Sequence, residues 1–134
     1  MNKILFIIFI SFSLPALSMS QTVSLKDVQS ITTPKDLNGV KASYDILASA
    51  IGELEKKHSD ELAIAILKGY ASVGKKDPSF IGIEDFAPYY KKHSKKVKEL
   101  AKKNLDQKES KEMMMALESM SENVGLGNDP SVKK

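Results

Sequence analysis

Apolar residues recur along most of the chain at alternating spacings of three and four, the period of an α-helix packed by one face. The longest run has seven positions in unbroken repeat from Leu37 to His58 and predicts a helix over 34–57, although Gly39 leaves open a start one turn later. Further helices are predicted over 60–73, from about Asp85 to Asn104, and from Asp106 to a stop at Gly125. No segment shows the alternation of a strand, so the pattern predicts an all-α fold, a small up-and-down helical bundle of three to four helices.

Each predicted helix is preceded by a residue whose side chain can accept from the amides of the first turn. These caps are Thr33, Ser59, Asp85 and Asp106. Pro34 suits the first turn after Thr33, and Glu109 completes a capping box with Asp106. The helix over 60–73 is apolar nearly all round, which predicts that it is the buried central one.

The first twenty residues follow the plan of a cleaved secretory signal peptide. Lys3 gives a positive start, residues 4–14 are almost wholly apolar, and Pro15 precedes small residues. That apolar run is shorter than the roughly twenty residues that a membrane span needs. Cleavage is predicted after Ser20, with Ser18 as the alternative, and the mature chain is expected in the periplasm or outside the cell.

Four segments are expected from these patterns. They are a signal peptide (1–20), a polar N-terminal segment (21–32), the helical bundle domain (33–124) and a disordered tail (125–134). The row of apolar residues from Leu37 to His58 could pack against a second copy of the chain and form a dimer. A helical bundle needs the same residues for its own core, so a monomer is expected.

Composition excludes several classes of protein. The chain of 134 residues has no cysteine, which excludes a disulfide scaffold and a thiolate zinc site. All twenty basic residues are lysine, and lysine reads phosphates and base edges less specifically than arginine. We therefore expect no nucleic-acid partner, and no sequence motif indicates a cofactor.

The charge is distributed unevenly, although the net charge is only +3. Residues 91–103 hold seven lysines and one glutamate, a local charge of +6, whereas residues 106–122 hold five acids and two lysines, a charge of −3. One interpretation is pairing between neighbouring helices, with the remaining charge solvated. The other is an anion-binding surface that includes part of the 72–85 loop. Its candidate residues are Lys91, Lys92, Lys95, Lys98, Lys102, Phe80 and Glu84.

Motifs for catalysis or metal binding are weak. Three consecutive methionines, Met113 to Met115, point about 100° apart on a helix and cannot share one copper ion. His58 and His93 lie in no metal-ligand pattern, and the adjacent acids Glu84 and Asp85 are expected to point apart. We therefore predict no metal site and no enzymatic activity.

A longer arrangement carries a resemblance. Gly69-Tyr70, a loop, and Phe86-x-x-Tyr89-Tyr90 before a long helix are similar to a family of small helical immunity proteins of the bacterial periplasm. That family usually has paired cysteines, which this chain lacks. The resemblance implies an inhibitor- or immunity-like protein that binds another macromolecule. The alternative is a charge-driven binder of an anionic membrane or cell-wall surface through residues 91–103, for which the aromatic anchors lie at one end only.

Overall fold

The fold is taken from a computed structural model, which describes residues 23–128 and, in the last helix, side chains as far as Glu122. Its α-helices are α1 (Leu25–Gln29), α2 (Leu37–Lys56), α3 (Asp60–Gly74), α4 (Ala87–Asn104) and α5 (Gln107–Asn128). A short 3-10 helix, Ile81–Asp85, connects α3 to α4. No strand occurs among the described residues, so the predicted all-α helical bundle is confirmed.

Helix α3 is the centre of the bundle. It packs against α1, α2, α4 and α5, and its buried residues lie all around it, as its apolar composition predicted. Only three residues join α2 to α3, and the two helices pack together as an antiparallel hairpin. Helix α5 packs mainly on α4, and the 3-10 helix fills the space between α2, α4 and α5.

The seam of α2 is buried within the chain except at its ends. Its central residues, from Val40 to Leu54, line the core, whereas Leu37 is 80% exposed. The prediction that Thr33 caps this helix is wrong. The helix begins at Leu37, and its N-cap is Asp36, which accepts a hydrogen bond from the Gly39 amide at 2.8 Å. The later start leaves Leu37 beyond the edge of the core.

Two of the other predicted caps are confirmed. The Ser59 hydroxyl accepts from the Leu62 amide at 3.3 Å. Asp106 accepts from the Glu109 amide at 2.7 Å, and Glu109 accepts in return from the Asp106 amide at 3.3 Å.

The prediction that Asp85 caps α4 is wrong. Asp85 ends the 3-10 helix, and the N-cap of α4 is Phe86, whose side chain makes no capping hydrogen bond. Backbone hydrogen bonds span the junction instead. The Phe86 amide donates to the Ile83 carbonyl and the Tyr90 amide donates to the Phe86 carbonyl, each at 2.9 Å. One helix therefore passes into the next, which removes the need for a side-chain cap.

Two of the expected segments contain helical residues where they adjoin the bundle. The polar segment 21–32 contains α1, which is capped by Ser24 and packs on α2 and α3 with Val28 only 1% exposed. Helix α5 continues through Gly125 to Asn128, because a glycine is tolerated in a helix and the next strong break is Pro130. The first four residues of the expected disordered tail are thus helical, and its remainder, 129–134, lies outside the described residues.

The predicted signal peptide, residues 1–20, and its two cleavage sites also lie outside the described residues. None of the described helices is both long enough and apolar enough to cross a membrane.

Candidate functional site

The lysines of α4 form two rows along the helix. The first row is Lys91, Lys95, Lys98 and Lys102, and the second is Lys92, Lys96, Glu99 and Lys103. Both rows repeat at spacings of four, three and four, which keeps each row on one side of a helix. All eight side chains are exposed. A break in the helical torsion angles at His93 (φ −129°, ψ 35°) separates the first member of the first row from the other three.

The second row is largely neutralised. Lys96 lies 3.1 Å from Asp60 at the start of α3, and Lys103 lies 2.9 Å from Glu99 within the row. Lys92, predicted as a binding residue, belongs to this row and is its one lysine that forms no ion pair within the described residues. For this side of α4, the interpretation that neighbouring acids offset the lysines fits best.

The first row keeps most of its charge. Only Lys98 pairs with an acid of another helix, at 2.9 Å from Glu118 of α5. Within the part of the chain that the structure describes, Lys91, Lys95 and Lys102 form no ion pair. The sequence predicted this surface but could not show which lysines would find partners.

Glu118 joins the first row to the core. One of its oxygens, Oε1, accepts from the Tyr90 hydroxyl at 2.6 Å and lies 2.9 Å from Lys98 Nζ. These two contacts, the tyrosine first, lower the pKa of the Glu118 carboxyl, and Glu118 raises the pKa of Lys98. Burial and the bond to Glu118 raise the pKa of Tyr90 to about 12. The anchored carboxylate fixes how α4 and α5 lie together at this surface.

A matching row runs along α5. It consists of Lys111, Met115, Glu118 and Glu122, again spaced by four, three and four and exposed throughout. Met115 is 63% exposed and lies one helical turn from Glu118. We call this row and the first lysine row of α4 together the lysine–methionine face. It combines free positive charge, an anchored ion pair and one large apolar side chain.

Phe80, predicted as a contact residue, is a core residue instead. Its side chain is 6% exposed, and its ring lies so close to Gly74 that a Cβ there would be 2.4 Å from Cζ. Phe80 also has a left-handed backbone (φ 51°), which turns the chain at the start of the 3-10 helix. Glu84 is exposed on that helix, as a contact residue requires. The apolar residue that this loop exposes is Ile81, at 68%.

Asp77 holds this loop in place. Its carboxylate accepts from the hydroxyls of Tyr44 and Ser79, both at 2.5 Å, and from the Ile81 amide at 3.1 Å. Burial works to raise the pKa of Asp77, but the hydrogen bonds outweigh it and leave the pKa lowered. The loop is therefore a fixed part of the bundle.

The structure brings together two histidines that lie 35 positions apart in sequence. The ring centroids of His58 and His93 are 5.0 Å apart, and the Tyr89 ring contacts both. Periodicity placed each histidine on its own helix but carried no signal of their proximity. Within the described region, no group of three or more His, Asp or Glu side chains is placed to hold a metal ion together.

The methionines lie as predicted from helix geometry. Met113 is fully buried in the core, Met114 is partly buried against it, and Met115 faces outward. Met120 packs against the core as well.

The four tyrosines lead to a prediction about high pH. The pKa values of Tyr44, Tyr70, Tyr89 and Tyr90 are all raised above 10, in each case mainly by burial. Because the folded state keeps these protons longer than the unfolded state, their contribution to stability is complete below pH 10 and is lost as pH rises through the folded-state values. We expect tyrosinate absorbance at 295 nm to rise together with loss of helical circular dichroism. Ionisation of two or more tyrosines in a still helical protein at pH 10.5 would contradict this burial.

Comparisons with known proteins give no family. No protein-family model matches the chain, and neither a curated protein nor a solved structure matches it. The resemblance to periplasmic immunity proteins therefore rests on the quoted residues alone.

Proposed function

We propose that this is an exported, non-catalytic binding protein that recognises an acidic surface of another protein through the lysine–methionine face. The main support is the first lysine row, in which Lys91, Lys95 and Lys102 are exposed and form no ion pair within the described residues. Positive charge held along one side of α4 attracts an acidic partner and orients its approach. The proposal is in keeping with an inhibitor- or immunity-like role.

The composition of the face favours a protein partner over a membrane. A helix that lies on a membrane inserts a row of bulky apolar side chains. In α4 the aromatic candidates for such anchors, Phe86, Tyr89 and Tyr90, are buried in the core. Met115 is exposed among charges of both signs, and methionine is enriched in protein interfaces. The anionic membrane or wall polymer stays as the alternative for the experiment to test.

Neutralising the first row is expected to abolish most of the binding. The triple variant Lys91→Gln, Lys95→Gln, Lys102→Gln should lose at least about tenfold in affinity for a captured acidic protein, because it removes the three lysines of this row that form no ion pair within the described residues. Raising salt from 50 to 500 mM should weaken the wild-type complex by a similar factor, since exposed charges are screened. Affinity is measured by surface plasmon resonance on the partner recovered by cross-linking from the cell envelope.

A control with the same change in charge is available on the same helix. The triple variant Lys92→Gln, Lys96→Gln, Lys103→Gln should retain affinity within about threefold, because two of those lysines already have acidic neighbours. Equal losses in both variants would mean that net charge, not this face, governs binding. Row-dependent binding to phosphatidylglycerol vesicles or wall fragments, with no stoichiometric protein partner, would establish the alternative.

A further inference from the structure

We propose that His58 and His93 form a surface site for a divalent transition-metal ion, with Zn²⁺ and Cu²⁺ as the ions that imidazole suits best. The two rings lie edge to face, with centroids 5.0 Å apart and planes at 62°. Two imidazoles on one tetrahedral ion have metal–nitrogen distances of about 2.0–2.1 Å, which puts their ring centroids about 5 Å apart. The observed centroid separation is compatible with a shared ion.

The backbone explains why these two side chains meet. His58 lies in the three-residue connection between α2 and α3, and His93 lies where α4 departs from helical torsion angles. Both positions interrupt regular helix, and the packing of α3 on α4 brings them together. An ion held there would link the α2–α3 connection to α4, two parts of the chain that no covalent bond joins directly.

Tyr89 orients one of the ligands. Its hydroxyl lies 3.4 Å from Nδ1 of His58, and its ring is buried beside both histidines. With Nδ1 directed at Tyr89, Nε2 of His58 is left for the ion. A metal-bound histidine usually makes a hydrogen bond of this kind through the ring nitrogen that does not bind the metal.

Open space adjoins His93, and acids lie among the lysines around it. His93 borders an open depression of about 350 Å³ that includes Lys92, Lys95 and Lys96 on its rim, together with Glu99. Asp60 pairs with Lys96 at 3.1 Å, and Glu99 lies within the same row, so acids partly offset the lysines. With two protein ligands, the remaining coordination positions are taken by water, and binding is weaker than in a closed four-ligand site.

Metal titration of the whole mature protein tests this inference. Zn²⁺ should bind with a stoichiometry of one by isothermal titration calorimetry, and Cu²⁺ should bind more tightly than Zn²⁺. At a Zn²⁺ concentration ten times the dissociation constant, we expect Tm to rise by about 4 °C or more, because the ion binds only the folded arrangement. The variant His58→Ala should lose at least tenfold in affinity and most of the rise in Tm.

The chain offers clear controls because it has only two histidines. His58 is exposed, so His58→Ala should fold normally, and His93→Gln tests the second ligand with a polar residue of similar size. Asp60→Asn should leave Zn²⁺ affinity within about threefold. Absence of binding up to 1 mM Zn²⁺ or Cu²⁺, or affinity unchanged in His58→Ala, would overturn the proposal. Neither outcome depends on the protein partner proposed above.

Discussion

Replacing Phe86 by alanine is expected to lower the free energy of unfolding by about 3–5 kcal/mol, the usual cost of emptying a buried aromatic site. The Phe86 side chain is fully buried and stacks between Tyr70 and Tyr89, with ring centroids 5.9 Å and 5.6 Å away. It also stands where the 3-10 helix passes into α4, so its loss loosens both. The measurement is urea unfolding followed by circular dichroism at 222 nm.

The variant Phe86→Leu is the matched control. Leucine keeps much of the apolar volume, so we expect a loss of only about 1 kcal/mol. A cost below 1 kcal/mol for Phe86→Ala would contradict the stacked position of the ring. Since both variants leave the lysine–methionine face intact, each should bind the partner normally at temperatures where it is folded.

Replacing Gly82 by alanine is expected to cost about 2–3 kcal/mol through overpacking. A Cβ at Gly82 would lie 2.4 Å from Cγ of the Tyr44 ring and 2.7 Å from Cδ2, which is closer than two non-bonded carbon atoms can approach. The ring cannot simply swing away, because its hydroxyl donates to Asp77 at 2.5 Å. The loop or α2 must therefore shift, and the bond from the Tyr70 hydroxyl to the Gly82 carbonyl, 3.2 Å long, shifts with it.

Replacing Gly52 by alanine should raise the free energy of unfolding, whereas the same change at Gly82 lowers it. Gly52 is exposed within α2, and no atom lies within 4 Å of a Cβ built there. Alanine at this position should stabilise the protein by about 0.5–1 kcal/mol, because it favours the helix without meeting a neighbour. Both variants are compared by the midpoint and slope of the same urea transitions. Wild-type stability in Gly82→Ala would mean that the loop does not pack against Tyr44.

The helices could be predicted because their signals are local. Seams at a period of 3.6 residues, and caps such as Ser59 and the Asp106–Glu109 box, act within one or two turns of the chain. Errors arose where two local signals competed. Thr33-Pro34 looked like a helix start, but Asp36 supplied a cap three residues later. Asp85 looked like a cap, but a preceding 3-10 helix already continued into α4.

The candidate site could be predicted only in part, because charge in a sequence does not show which charges are paired. The sequence placed seven lysines on one helix, but acids from α3, from α5 and from α4 itself determine which of them are paired. Phe80 was a candidate contact residue because it belongs to the 72–85 loop, which formed part of the predicted binding surface. Its left-handed backbone and the space above Gly74 place it in the core instead.

By itself, the sequence determined that this protein is helical, roughly where each long helix lies, and that α3 is the central one. Those properties follow from hydrogen bonds and side-chain spacing within single segments. The tertiary structure alone decided that Lys91, Lys95 and Lys102 form no ion pair in the described fold, that Glu118 is anchored by Tyr90, and that His58 meets His93. Each of these depends on how separate helices pack, because the interacting groups are far apart along the chain.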